Sequence, residues 1–288
     1  MNAARDGLAH SVQVRLARHA KEINVDPNLV LTRYGIERFL YRLSRSAHAE
    51  RFVLKGALLL IAWLGETLRP TRDADLLGFG DFADDELARI MRDVCEIEVE
   101  PDAVIFDAES IVIDAIRAED TYGGRRATLT ARLGAARLRI QVDIGIGDAV
   151  TPAAQWLQYP SLLDLPQPRL RAYPRETVVA EKLHAIVSLG MRNSRLKDYF
   201  DLHALACEGA MESARLGEAI AATFARRNTA VPVGLPTGLT PAFSLDREKA
   251  AQWKAFLTRN RLEGPALEDV VQELGDFIIG PLVAARSL

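Results

Sequence analysis

The chain predicts an α+β fold, and three observations carry that reading. Strand-like runs concentrate before residue 150, the clearest of them a hairpin over 126–147. Prolines then crowd 152–174, and beyond them the apolar spacing is helical to the end. The proline-rich stretch is the expected boundary between a sheet-bearing part with opening helices, residues 1–165, and a helical part, residues 166–288.

With 288 residues the chain can bury a sizeable core, and 49% hydrophobic with 26% charged residues is the composition of a soluble globular protein. A net charge of −3 excludes attraction of a nucleic acid by the whole-molecule field, so such a partner needs a local basic surface. Arg42, Arg45, Arg51, Arg69 and Arg72 are one candidate group, and Arg125, Arg126, Arg132, Arg137 and Arg139 another. Solvated arginines on a sheet face explain them equally well. Cys95 and Cys207 fall in helix-like runs and read as small buried hydrophobes in a reducing compartment. No apolar run reaches the ~18 residues of a membrane span and no signal core is visible, so a cytoplasmic protein with no membrane partner is expected.

In chain order, residues 9–22 and 27–46 have helical spacing. In the second, Val30, Tyr34, Phe39, Leu40 and Leu43 recur at threes and fours, with Asp26 as cap and Pro27 in the first turn. Phe52–Leu54 reads as a short strand, Gly56-Ala57 as a tight exit from it, and Leu58–Leu64 as a helix too apolar to face water. Asp73 and Asp75 follow. If 71–77 is extended, both carboxylates point to one side with Cα atoms roughly 6.5–7 Å apart. Residues 78–81 form a loop, and Asp84-Asp85-Glu86 open a helix to about Cys95, favourable against its dipole. Val104–Phe106 and Ile111–Ile116 are two candidate strands. Ala127–Leu133 and Leu138–Ile146 are the arms of the hairpin, joined through Gly134-Ala135-Ala136. In the second arm Leu138, Ile140, Val142, Ile144 and Ile146 share one face, which leaves Asp143 on the other beside Arg139 and Gln141. Helices are expected over 176–189, 196–207, 212–227, 246–260 and 266–285, with 231–241 as a loop.

The order strand, glycine turn, buried helix, Asp-x-Asp and later a strand with one aspartate has chemical content. A glycine turn opening a helix exposes backbone N–H groups suited to phosphate. Three carboxylates converging from adjacent strands suit magnesium, or manganese in its place, in phosphoryl or nucleotidyl transfer. Two carboxylates 4 Å apart repel by about 4 kcal/mol at an effective dielectric of 20, so such a group shifts its proton equilibria or takes a cation. Read singly, Lys182 is an exposed lysine beside the apolar stripe of Val178, Val179, Leu183 and Ile186, and Asp198 and Asp201, one helical turn apart, are capping or ion-pairing residues.

The glycine turn followed by the acidic pair and a third acid resembles the nucleotidyltransferase superfamily pattern, with Ala57 where many members carry serine. The set Leu-Lys-Gly-Ala (54–57), Arg-Pro-Thr-Arg-Asp-Ala-Asp-Leu (69–76), Val-Asp-Ile-Gly-Ile-Gly-Asp (142–148), Ala-Glu-Lys-Leu-His-Ala (180–185) and Arg-Leu-Lys-Asp-Tyr-Phe-Asp-Leu (195–202) is similar to the blocks of the AbiEii/AbiGii toxin nucleotidyltransferases, which include the MenT toxins. The resemblance covers roughly residues 50–205. It implies a bilobed enzyme, a mixed-sheet nucleotidyltransferase lobe followed by a helical one, with the nucleotide in the cleft. It further implies that Asp73, Asp75 and Asp143 hold magnesium, that Lys55, Gly56, Ala57, Thr71 and Lys182 line the NTP, and that Lys182 contacts the triphosphate. Asp198 would be the remaining essential acid, with Asp201 the alternative. An added phosphate on Thr71 would repel the donor, though local backbone bonding is the plainer role for its hydroxyl. The implied activity is transfer of nucleotides from an NTP to the 3′ end of tRNA, restrained by an AbiEi-type antitoxin encoded alongside. The alternatives keep the chemistry on a protein or small-molecule acceptor such as an antibiotic, or leave a silent nucleotide-binding module.

Overall fold

The computed structural model describes residues 2–65, 69–80, 82–116, 124–209 and 211–288. Residues 66–68, inside the stretch leading to the aspartates, and Asp81 of the expected 78–81 loop lie outside this set. The chain divides into two compact units, residues 1–147 with 155–172, and residues 148–154 with 173–288.

The first unit opens with α1 (Asn2–Glu22) and α2 (Pro27–Arg45). The Asp26 carboxylate accepts the Asn28 N–H at 2.9 Å, and Pro27 takes the first turn, where its missing N–H costs nothing. After a single 3-10 turn come β1 (Phe52–Lys55), α3 (Ala57–Leu64), β2 (Ala74–Gly78) and α4 (Asp84–Glu96). Then follow β3 (Val104–Ile116), β4 (Gly124–Leu133), β5 (Ala136–Ile146), β6 (Gln155–Gln158) and β7 (Arg169–Ala172). Among the described residues these strands form one mixed sheet in the order β3-β4-β5-β2-β1-β7-β6. β2 runs parallel to β5 and β1 parallel to β7, while the other neighbours are antiparallel.

Two strand assignments depart from the sequence reading. The runs around Val104 and Ile111 are one strand, interrupted by a register shift between Asp107 and Val112. Ser110 makes the interruption tolerable: its hydroxyl donates to Asp107 O at 2.6 Å and accepts the Thr130 N–H at 2.8 Å, replacing ladder bonds that the bulge removes. The proline-rich stretch is no plain connector, because β6 and β7 lie within it and extend the sheet.

One face of the sheet packs under α2. Leu138, Ile140, Val142 and Ile144 are buried there, and α2 comes close because Gly35 lacks a side chain: a Cβ at that position would sit 2.7 Å from Ile140 Cδ1. Arg42, expected among the basic surface residues, is instead buried under the fold, its guanidinium 2.6 and 3.2 Å from the two Asp102 carboxylate oxygens.

The second unit is built on α5 (Arg175–Leu189), α6 (Leu196–Cys207), α7 (Ser213–Arg226), the short α8 (Pro241–Ser244), α9 (Arg247–Asn260) and α10 (Leu267–Arg286). The residues expected to start three of these helices, Glu212, Asp246 and Ala266, are their N-caps. Asp246 accepts the N–H groups of Glu248 and Lys249, each at 3.0 Å. The core of this unit is apolar, including Leu183, Ile186, Leu202, Leu205, Ile220, Phe224, Leu274 and Ile278.

Candidate functional site

Strand register aligns the polar residues of the first unit. Asp75 on β2 lies opposite Lys55 on β1 and Asp143 on β5, and Asp143 lies opposite Arg126 on β4. Directly opposed residues project to the same face, so Lys55, Asp75, Asp143 and Arg126 form one row across four strands. Alternation sends Ala74, Leu76, Val142 and Ile144 to the other, buried face.

Asp73 joins this row from outside the sheet. It occupies the bend before β2 and not the strand itself, as the expected extension over 71–77 required. Its carboxylate still reaches the others: one oxygen each of Asp73, Asp75 and Asp143 lies within 4.8 Å of the rest. The Thr71 hydroxyl donates to Asp73 Oδ1 at 2.7 Å, so this buried side chain steadies a carboxylate where backbone bonding was expected.

The crowding of like charges is relieved on one side by Arg126. Its Nε and Nη2 donate to the two oxygens of Asp143 at 2.8 and 2.7 Å, and Gln141 Nε2 adds a bond at 3.3 Å. The hydrogen bond to Asp143 is the chief reason that the arginine's proton is held more tightly than usual. Burial opposes it, and the charges of Asp143, Asp73 and Asp75 add to it. With Arg126 on Asp143 and Lys55 opposite Asp75, two cationic side chains share the row with three carboxylates, so acidic charge still exceeds basic charge by one.

Gly56 has a role beyond its turn. Its backbone is at φ +73°, ψ −155°, and a Cβ there would lie 2.0 Å from Asp75 Oδ2. Only glycine accepts both the conformation and the carboxylate packed on its Cα. Ala57 then begins α3, and the helix is buried over Ala57–Ile61, as its composition required.

Lys182, Asp198 and Asp201 belong to the second unit and meet there. Lys182 Nζ lies 2.9 Å from Asp198 Oδ1 and 2.6 Å from Asp201 Oδ2, and Arg195 Nε donates to Asp198 Oδ2 at 2.7 Å. Lys182 is therefore no exposed lysine; its side chain is 12% exposed, and the aspartates are buried. Burial alone would raise the Asp198 pKa, but the charges of Lys182 and Arg195 and the Lys182 hydrogen bond outweigh it and hold the carboxyl below its ordinary range. The rest of the 180–185 block is tied down as well. Glu181 accepts from the Tyr173 hydroxyl at 3.2 Å and pairs with Arg227 at 3.5 Å, while His184 Nε2 lies 2.9 Å from Thr229 Oγ1.

The pairing of Arg126 with Asp143 escaped the sequence reading. The observed turn is the two residues Gly134-Ala135, with Leu133 opposite Ala136, and stepping back along both arms from there lands on Arg126 and Asp143. Other expected basic-surface residues are also engaged, Arg51 with Glu86 at 2.9 Å and Arg125 with Asp84.

Residues 38–273 match the family described as nucleotidyl transferase AbiEii toxin of type IV toxin–antitoxin systems. The chain belongs to the AbiEii nucleotidyl transferase toxin family. The match spans both units and includes every AbiEii block named above. Two solved structures are similar to the AbiEii-family chain, a candidate nucleotidyltransferase from H. pylori and JHP933 from Helicobacter pylori. Each is 18% identical with a TM-score of 0.49, over 87% of this chain and 92% and 89% of theirs. Among curated proteins no match is found. Among the described residues, no helix is long and apolar enough to cross a membrane.

Proposed function

We propose that this AbiEii-family protein transfers a nucleotide from an NTP to the 3′ end of tRNA, with divalent metal held by Asp73, Asp75 and Asp143. The observation that carries the reading is the convergence of those three carboxylates within 4.8 Å beside the Gly56 turn. The donor set fits magnesium: three carboxylates are hard oxygen ligands, and manganese shares the preference. Bound there, the ions would neutralise phosphate charge and activate the attacking hydroxyl.

The chain's own groups divide the remaining work. Arg126 fixes the orientation of Asp143 through two hydrogen bonds. Gly56 makes room for Asp75, and the first-turn amides of α3, beginning at Ala57, offer backbone donors to the triphosphate without a side-chain hydroxyl. Lys55, opposite Asp75 in the row, adds positive charge. Thr71 supports Asp73. On the family pattern Lys182 is assigned to the triphosphate, with Asp198 and Asp201 holding its ammonium by two hydrogen bonds. The acceptor 3′ hydroxyl gives up its proton to solvent as its oxygen attacks the α-phosphorus, the new P–O bond forms as the bond to the bridging oxygen breaks, and pyrophosphate leaves. An AbiEi-type antitoxin is the proposed partner, and the cytoplasm, where tRNA is charged, the proposed location.

Incubation with each labelled NTP and total cellular RNA, with and without EDTA, tests the proposal. The expected result is metal-dependent label at tRNA 3′ ends. Label in protein or in a small molecule, with none in RNA, would replace the acceptor, and no label anywhere would remove the activity.

A further inference from the structure

A second group of ligand-type side chains lies entirely in the second unit and owes nothing to the aspartate site. His203 and Cys207 are one helical turn apart on α6, and Glu273 reaches them from α10. His203 Nε2 lies 2.8 Å from Glu273 Oε2 and 3.7 Å from Cys207 Sγ, and all three ligand atoms fall within 4.8 Å of one another. Among the described residues, these three side chains have no hydrogen-bond partners but each other. We propose that His203, Cys207 and Glu273 form a binding site for zinc or a zinc-like transition metal ion, clamping α6 to α10.

The distances suit that ion. Tetrahedral zinc, with Zn–S of about 2.3 Å and Zn–N and Zn–O of about 2.0–2.2 Å, sets sulfur and nitrogen about 3.6 Å apart and nitrogen and oxygen about 3.4 Å apart. The observed separations of 3.7 and 2.8 Å differ from these by amounts that small side-chain rotations absorb. Imidazole with thiolate selects a borderline or soft metal over magnesium or calcium. Charge balances as well: Cys207 releases its thiol proton to solvent on binding, and thiolate with carboxylate then neutralise a divalent ion. Cys207 is the last residue of α6, where the unsatisfied carbonyls of a helix end favour a cation. Cys207 and Glu273 are exposed, so metal can enter from solvent and water can fill the fourth position. Cys207 is thus a ligand and not the buried apolar thiol that its helical context suggested.

The test is titration of the metal-free, full-length protein with Co2+, a spectroscopic stand-in for zinc. Only a thiolate ligand gives cobalt an intense near-ultraviolet charge-transfer band, so cobalt bound at the all-oxygen aspartate site stays silent in this readout. The expected result is a band whose saturating intensity corresponds to one thiolate-bound cobalt per chain, which is displaced by Zn2+, survives Cys95→Ala and vanishes in Cys207→Ser. Removing a ligand by Glu273→Gln weakens binding by more than the roughly 10- to 100-fold typical of an outer-shell partner. Absence of the band in the wild type, its persistence in Cys207→Ser, or unchanged affinity in Glu273→Gln overturns the proposal.

Discussion

Replacing Gly56 with alanine would bring a Cβ to 2.0 Å from Asp75 Oδ2, 2.6 Å from its Cγ and 2.8 Å from its Cβ, on a backbone held at φ +73°. Two costs follow. Holding a non-glycine residue in a glycine-only region takes about 1–3 kcal/mol, and overpacking of this kind takes about another 1–3 kcal/mol. At about 2–4 °C per kcal/mol for a body of 150–250 residues, Gly56→Ala lowers the melting temperature by roughly 5–20 °C. It also displaces the Asp75 carboxylate, so transfer activity falls even where the protein is fully folded. A thermodynamic cycle with Asp75→Ala separates the two costs. Asp75→Ala removes the two closest contacts, to Oδ2 and Cγ, and keeps the one to Cβ, so Gly56→Ala costs less in that background, by about 0.5–3 kcal/mol of coupling. The assay is thermal unfolding of the four proteins followed by circular dichroism. Equal costs with and without the carboxylate would show that Asp75 is not seated against Gly56, and the geometry assigned to the site would be wrong.

The other predictions concern the two ion networks and the bulge. Arg126→Ala leaves Asp143 without its two guanidinium bonds, so nucleotide transfer drops by roughly tenfold or more while the fold holds, because one charge-assisted bond of about 1.5–3 kcal/mol is already worth that factor; unchanged transfer would mean Asp143 needs no holding. Lys182→Met takes the ammonium away from two buried aspartates, leaving Arg195 on Asp198, and destabilises the protein by about 3–5 kcal/mol, whereas Lys182→Met combined with Asp198→Asn and Asp201→Asn recovers most of the loss in urea unfolding. Because the Asp198 pKa is lowered in the folded state, its contribution is present above the unfolded carboxyl value of about 3.9 and is lost as pH falls through the lower folded value. Melting temperature measured below about pH 4 should therefore fall less steeply in Asp198→Asn than in the wild type, and identical slopes would contradict the assigned shift. Ser110→Ala costs about 1–2 kcal/mol by leaving the Thr130 N–H unmatched, read by the same unfolding assay.

Much of the fold was legible because its signals are local. The Asp26-Pro27 start of α2, the alternation from Leu138 to Ile144 and the helix starts at Glu212, Asp246 and Ala266 each depend on a few neighbouring residues. The failures involve partners distant in the chain. β6 and β7 are four residues each among prolines, too short for a period to declare itself, and pairing with β1 is what makes β7 part of the sheet. The strand from Val104 to Ile116 seemed to break because Ser110 repairs the ladder by hydrogen bonds to Asp107 and Thr130 that no local pattern announces. At the site, the aspartates stood out by spacing, while the Arg126 clamp depended on a hairpin register one residue tighter than the turn read from sequence. Lys182 looked solvent-facing on its helix because its two carboxylate partners sit on α6, sixteen and nineteen residues further on.

The central claim is that Asp73, Asp75 and Asp143 hold the metal on which nucleotide transfer depends. The most direct measurement is anomalous diffraction at the manganese edge from crystals grown with Mn2+ and a non-hydrolysable NTP. The account predicts an anomalous peak bonded to oxygens of these three carboxylates and absent from Asp75→Asn crystals. A peak elsewhere, with these carboxylates bare while Mn2+ still supports transfer in solution, would contradict it.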